Sequence, residues 1–297
     1  MSDGRILLIV NPVSGRSIDI LPAVDEIFKN AGADFDIKLT EKRRQATELA
    51  RAAARHGYRR VIAVGGDGTV NEVASGLVNS DAILAVIPAG RGNDFFRMLS
   101  IPCDLETICR VALTGAPRSL DVGLLGDQPF FNSVGIGFAA RAAGIADLNE
   151  KKKFSYLLAI YKALKENVAY EVALRIDNLE LKLSVSMLTV NIGKTGGGGL
   201  PLAPLAEAED GKFDVCVVES AKKTRIFTML PRFLKGTHLR LPEVKMFRCR
   251  QIEISSSQPL PIHYEGEPWE GKSGRIRIKM DSAKIKVATM ASAKYEH

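Results

Sequence analysis

From residue 5 to residue 87 the chain alternates short, unbroken apolar runs with segments whose apolar residues recur at helical spacing. A strand made of an unbroken run has no polar face to offer water. It must be covered on both sides, as in a parallel sheet flanked by helices. Residues 5–10 read as the first strand. Across 20–29, Leu21, Val24, Ile27 and Phe28 share one helical face, and Gly32 supplies a stop. Phe35, Ile37 and Leu39 alternate as a second strand, 46–56 is an Ala-rich helix ended by Gly57, and 61–64 is a third strand. A helix over 69–78 and a strand over 83–87 complete an open α/β domain. In such sheets ligands sit beyond the carboxyl ends of the strands.

After about residue 119 the period shortens to that of strands. Segments 170–176, 180–190, 213–218, 251–255, 262–264 and 275–280 read as short strands, with helices expected only at 153–166 and 224–235. The expected fold class is therefore α/β: an N-terminal open α/β domain over 1–120, then a mostly antiparallel β domain over 121–297, its last residues returning to the first domain. No internal repeat or low-complexity linker marks the boundary.

Composition narrows the function. The longest apolar runs, at 6–10, 61–64 and 83–86, fall far short of the roughly 20 residues that span a bilayer. Residues 1–5 lack the charged and apolar regions of a secretory signal, so a cytoplasmic location is expected. Cys103, Cys109, Cys216 and Cys249 form no CxxC pair and are expected to be buried, reduced thiols. The 41 Lys and Arg outnumber the 34 Asp and Glu by seven. Residues 1–125 carry 15 of each sign, so the whole excess lies beyond them. Segment 222–250 holds nine basic residues and one acid, Glu243, interleaved with Ile226, Phe227, Met229, Leu230, Phe233 and Leu234. Such a stretch is either a solvated face or a site for a phosphate-bearing partner. Nucleic-acid binding would want aromatic platforms among the charges, and Phe227, Phe233 and Phe247 read better as core or membrane anchors. A peripheral membrane surface is the expected partner, and nucleic acid is not.

Three strand-end loops carry residues that a packed core does not require. They are Asn11-Pro12-Val13-Ser14-Gly15, then Gly65-Gly66-Asp67-Gly68-Thr69 followed by Asn71 and Glu72, then Gly90-Arg91-Gly92-Asn93-Asp94-Phe95. Each alone reads as a tight turn. Together, glycine backbone, free N–H groups and helix N-termini outline a polyphosphate cradle. Neither G-x-x-x-x-G-K-[ST] nor a G-x-G-x-x-G after the first strand occurs, so a standard P-loop or dinucleotide fold is not expected. Asp67 and Asp94 would repel phosphate unless a cation lay between, and Mg2+ suits one or two carboxylates plus phosphates. The plainer reading of Asp94 is a helix cap.

In this order and spacing the three loops resemble those of the soluble diacylglycerol kinase and sphingosine kinase family. The likeness continues through Gly196–Gly199, Ala203-Pro204, Asp210-Gly211-Lys212-Phe213-Asp214 and Glu265-Gly266-Glu267. It implies an NAD kinase-like first domain and a β-sandwich second domain. The implied reaction transfers the γ-phosphoryl group of ATP to a lipid hydroxyl, diacylglycerol by default, with the nucleotide in a cleft between the domains. Carried over by position, Asn11, Ser14, Gly15, Thr40, Gly65, Gly66, Asp67, Gly68, Thr69 and Asn71 contact ATP, joined by Gly90, Arg91, Asn93 and Asp94 of the third loop. Glu267 matches the general base, Asp67 serves Mg2+, and Glu207, Asp210 and Lys212, the last through its backbone carbonyl, match a structural metal site.

Two positions depart from the pattern. Arg91 stands where the family usually has a small hydroxyl residue, and Glu265 replaces Asp. Glu267 on its own would read as a turn carboxylate beside Pro268. The GGDGT loop is shared with NAD kinases, which leaves a soluble-metabolite kinase as the alternative, along with a non-catalytic lipid-binding relative. His56, His238, His263 and His297 are too scattered for a metal cluster, and His263 reads as a surface residue at a strand end. An edge strand of the second domain leaves a homodimer open.

Overall fold

The computed structural model describes residues 4–141, 168–269 and 274–290, and the helix expected at 153–166 lies outside them. The chain divides into two compact units, Met1–Leu120 with Ser282–His297, and Asp121–Asp281.

The first unit runs β1 (Ile6–Val10), α1 (Ser17–Asn30), β2 (Phe35–Leu39), α2 (Gln45–Arg55), β3 (Arg60–Gly65), α3 (Asp67–Leu77), β4 (Ile83–Pro88), α4 (Asp94–Met98) and α5 (Leu105–Thr114). The strands pair in parallel in the order β4-β3-β1-β2. Position in the sheet accounts for the sequence pattern. Every residue of central β1 is buried, whereas edge β2 is only half-buried and leaves Leu39 exposed. From β1 the chain crosses one way to β2 and then back to β3 on the other side. The β1–β3 junction is therefore the switch point at which such sheets bind ligands. Helix α5, absent from the sequence reading, starts where Asp104 Oδ1 accepts Thr107 N–H at 2.7 Å. Cys103, in the loop before that cap, is exposed, which corrects the expectation of four buried thiols; Cys109, Cys216 and Cys249 are buried.

Strand β5 (Ala116–Leu125) begins in the first unit and ends in the second, where β6 (Gln128–Phe130), β7 (Ser133–Gly137), β8 (Tyr170–Ile176), β9 (Leu179–Asn191) and β10 (Phe213–Glu219) precede α6 (Lys223–Leu234). After it come β11 (Val244–Cys249), β12 (Gln251–Ser255), β13 (Ile262–Tyr264), β14 (Glu267–Pro268) and β15 (Arg275–Thr289), whose residues from Ser282 onward belong to the first unit. The fold is the antiparallel β-sandwich expected. Strand β8 shows the period-2 rule: Tyr170, Val172, Leu174 and Ile176 are buried and the residues between them exposed. These four join Val190, Phe213, Val215, Ile252, Ile254 and Ile278 in the main core of the unit. A smaller cluster lies under α6, where Met229 and Phe233 pack with Met187, Leu202, Cys216, Leu241 and Val244. Strand β15 runs past the expected end at 280, and its Lys286 and Val287 pair in parallel with Ile83 and Leu84 of β4.

Helices α2 and α3 cross at Gly76. A Cβ there would lie 2.5 Å from the Thr47 carbonyl oxygen, 2.8 Å from Ala50 Cβ and 3.0 Å from the Arg51 amide nitrogen. Two of these are backbone atoms of a hydrogen-bonded helix and have little room to yield. Gly76→Ala gains about 1 kcal/mol of helix propensity but forces the helices apart, at about 1–3 kcal/mol. A lower urea midpoint with an unchanged slope is expected despite the better helix former.

Candidate active site

The loops that follow β1, β3 and β4 touch one another through their backbones. Ser14 Oγ accepts the Gly66 N–H at 2.9 Å, and Asn11 Nδ2 donates to Thr69 Oγ1 at 3.2 Å, joining the first loop to the second. Arg16 N–H donates to the Ala89 carbonyl at 3.0 Å, joining the first to the third. Glycine is required at the contacts. A Cβ on Gly90 would sit 2.5 Å from Gly66 Cα, and one on Gly15, whose φ is +57°, would sit 1.9 Å from the Ala89 oxygen. Thr40 follows β2 and donates its N–H to the Val10 carbonyl at 2.9 Å, which places it beside Asn11 at the same rim. Two polar atoms in these segments, Asn71 Nδ2 and Asn93 Oδ1, are buried without a hydrogen-bond partner. Arg91 is exposed on the third loop.

Asp67 opens α3 and Asp94 opens α4. Asp67 Oδ1 accepts the Phe95 N–H at 3.1 Å, so the third loop's helix is capped by the second loop's acid. The cap expected of Asp94 is not what the structure builds: Asn93, in the left-handed region at φ 51°, is the residue before the helix and its side chain makes no cap bond. Asp94 is buried. Burial first, and then the charge of Asp94, push the Asp67 carboxyl up to about 6. Two acids held this way in a cradle of glycines suit a divalent cation with oxygen ligands.

In the second unit, Glu265 and Gly266 form the two-residue turn of the β13–β14 hairpin, with Tyr264 paired to Glu267 across it. Both turn residues have positive φ, 51° and 84°, as a type I′ turn requires. A glutamate is unusual there, and its carboxylate is anchored elsewhere: Oε1 accepts the N–H groups of Phe131 and Asn132, each at 2.7 Å. Glu267, half-buried at the start of β14, is set in place by this anchored turn.

Residues 5–125 match the family described as "Diacylglycerol kinase catalytic domain", and residues 132–287 match the "YegS C-terminal NAD kinase beta sandwich-like domain". A protein of Chromohalobacter salexigens named "Probable lipid kinase YegS-like" is 32% identical over 99% of this chain and 96% of its own. The chain belongs to the diacylglycerol kinase family of lipid kinases. The diacylglycerol kinase of Bacillus subtilis is 29% identical, with 89% of each chain covered. The crystal structure of a diacylglycerol kinase from Bacillus anthracis shares the fold, with a TM-score of 0.71, 21% identity and coverage of 96% of this chain and 97% of that one.

For a lipid kinase of this family, the turn at Glu207, Asp210 and Lys212 stands differently from the nucleotide-loop acids. Asp210 Oδ1 accepts the Lys212 N–H at 2.9 Å, and Oδ2 is ion-paired with Arg248. A guanidinium on that oxygen repels a second cation, so the side chains present do not fit a divalent ion there. Glu207 lies close enough to Asp214 that its charge, after burial, raises the Asp214 carboxyl.

Three roles escaped the sequence reading. Glu72 holds α2, with Oε1 accepting the Arg44 N–H at 2.9 Å and Oε2 the Ala46 N–H at 3.2 Å, because Arg44 itself gives the helix no side-chain cap. His263 is not a surface residue. Its ring lies where a Cβ on Gly135 would come within 2.3 Å, its Nδ1 is buried without a partner, and burial pushes it down to about 4. His238 is buried and stacked on Phe233 at 4.1 Å.

The position of Asp67 fixes a pH signature. Between the ordinary 3.8 and about 6 the folded chain binds a proton that the unfolded chain has released. Stability is therefore greatest below the lower value and falls as pH rises through the higher one, by about 3 kcal/mol. Asp67→Asn keeps the acceptor for Phe95 and removes the charge. In metal- and nucleotide-free protein it should raise stability at pH 7 by about 1–3 kcal/mol and flatten the fall between pH 4 and 6, as read by urea denaturation across that range.

Proposed function

We propose that this lipid kinase transfers the γ-phosphoryl group of ATP to a hydroxyl of a lipid alcohol, with diacylglycerol as the default acceptor. The observation that carries the reading is the backbone contact among the loops after β1, β3 and β4, with Asn71 and Asn93 leaving buried polar atoms unpartnered there. Those loops and Thr40 are the ATP-binding residues of the proposal. Their glycines let phosphate oxygens approach the backbone, and the N-terminus of α3 favours negative charge. Arg91, exposed on the third loop, is assigned to the outer phosphates. Asp67 and Asp94 would hold Mg2+, which when bound supplies charge neutralisation for phosphoryl transfer. Glu267 is assigned as the general base that accepts the proton of the acceptor hydroxyl.

The kinase is further proposed to work at an anionic membrane surface, with α6 as the contact. Within the basic stretch Arg225 is paired with Glu243 through two bonds, Lys245 with Glu219, and Arg248 with Asp210. Lys222, Arg232 and Lys235 are exposed on or beside the helix, together with Leu234 at 49%. No helix among the described residues is long and apolar enough to cross a membrane.

ADP release from ATP, measured with diacylglycerol in mixed micelles and separately with NAD, tests the reaction. Lipid-dependent turnover is expected, and phosphorylation of NAD alone would replace the reading with a soluble-metabolite kinase. Glu267→Gln should lower kcat by about 10²–10⁴-fold while ATP binding is retained. Loss of both together would assign Glu267 to the fold.

For the surface, Arg232→Glu with Lys235→Glu should release the protein from phosphatidylglycerol-containing vesicles at low ionic strength, each wild-type charge contributing about 1 kcal/mol. Cosedimentation that ignores both the substitutions and added salt would exclude α6 as the contact.

A further inference from the structure

The turn before β10 carries its own cation. Register in the β10–β11 pair sets Arg248 directly opposite Asp214, and cross-strand partners of opposite charge sit within reach of each other. From that position the guanidinium ion-pairs with Asp210 Oδ2 and brings Nε to 3.9 Å from Asp214 Oδ2. The other carboxylate oxygen of Asp210 closes the turn on the Lys212 N–H, and the next amide, Gly211 N–H, donates to Asp121 Oδ2 at 2.8 Å. The turn is thus fastened by one guanidinium and two backbone amides. Asp214 is 7% exposed and Asp210 19%, while Arg248 is half exposed and keeps part of its charge in water.

We propose that Arg248 is the resident counter-ion of the 207–214 turn, taking the structural part that the resemblance assigns to a metal ion. A planar guanidinium suits two carboxylates presented from a turn and a strand. A divalent ion of the Mg2+ type would have to shed water and displace it. The second unit is then held together without metal, and any divalent-ion requirement of the enzyme belongs to the nucleotide loops. The inference is independent of the acceptor and of the assignment of Glu267.

Thermal unfolding of the nucleotide-free full chain, in EDTA and in millimolar Mg2+ or Mn2+, tests it without an activity readout. The wild-type Tm should be the same in both, or differ only by a shift that Asp67→Asn abolishes and Asp210→Asn leaves intact. Arg248→Ala leaves Asp210 and Asp214 without that cation. In EDTA it should lower Tm by about 2–4 °C, with part of the loss restored by Mn2+. Arg248→Lys, which keeps a charge, should lose less. If Arg248→Ala does not fold, Asp210→Asn serves in its place and should lower Tm equally with and without metal. A saturable wild-type rise in Tm that Asp210→Asn abolishes would overturn the proposal. An Arg248→Ala protein as stable as wild type in EDTA would do the same.

Discussion

The carboxyl rim of the first unit depends on backbone meeting backbone. At Gly90 and Gly15 even a methyl group would collide with a neighbouring loop, at 2.5 and 1.9 Å, and at Gly66 it would press on Gly90 Cα at 3.2 Å. Each glycine gives up more conformational freedom on folding than any other residue would. In return the three loops hold one another in place through Ser14, Asn11 and the Ala89 carbonyl. A rim fixed this way needs little reordering to meet a ligand, which is the main advantage of preorganised donors over flexible ones. The switch point between β1 and β3 puts the first two loops side by side, and the parallel pairing of β3 with β4 brings in the third.

Buried acidic side chains meet other charges in both units. The strongest charge effect on Asp67 comes from another acid, Asp94, and its carboxyl is pushed up to about 6. Asp210 has an arginine delivered to it by strand register. Asp214 is raised as well, by burial and then by the charge of Glu207, so a carboxyl facing a like charge, a standing cost to stability, occurs in both units, and the guanidinium hydrogen-bonds Asp210 while its Nε stays 3.9 Å from Asp214.

What was legible in the sequence was what burial writes there. Strands β1, β3 and β4 are buried and read as apolar runs, and β8 reads as alternation because one of its faces is wet. Strand β11 was lost inside a basic stretch: Lys245 and Arg248 are paired with Glu219 and Asp210, and those acids lie outside the segment. The far end of β15 was missed because Asp281, Ser282, Lys284 and Lys286 interrupt its pattern. The candidate loops were visible as motifs, and their mutual contact was not, since it rests on the sheet order. The roles of Glu72 and Glu265 were equally hidden. Each accepts backbone amides, 26 and 28 residues away for Glu72 and 133 and 134 for Glu265, and an amide carries no sequence signal.

Glu265 shows how a departure from a family pattern can be read. As a change of motif chemistry beside Glu267 it would bear on the acceptor. Its carboxylate, however, is engaged by Phe131 and Asn132, and its own N–H donates to the Ser133 carbonyl at 3.1 Å. These bonds tie the β13–β14 turn to the segment that enters β7, and β7 is also the strand beside β13. A residue at φ 51° without such anchoring would be strained, since only glycine and short polar side chains visit that region readily. The longer side chain therefore belongs to the support of the hairpin that carries Glu267.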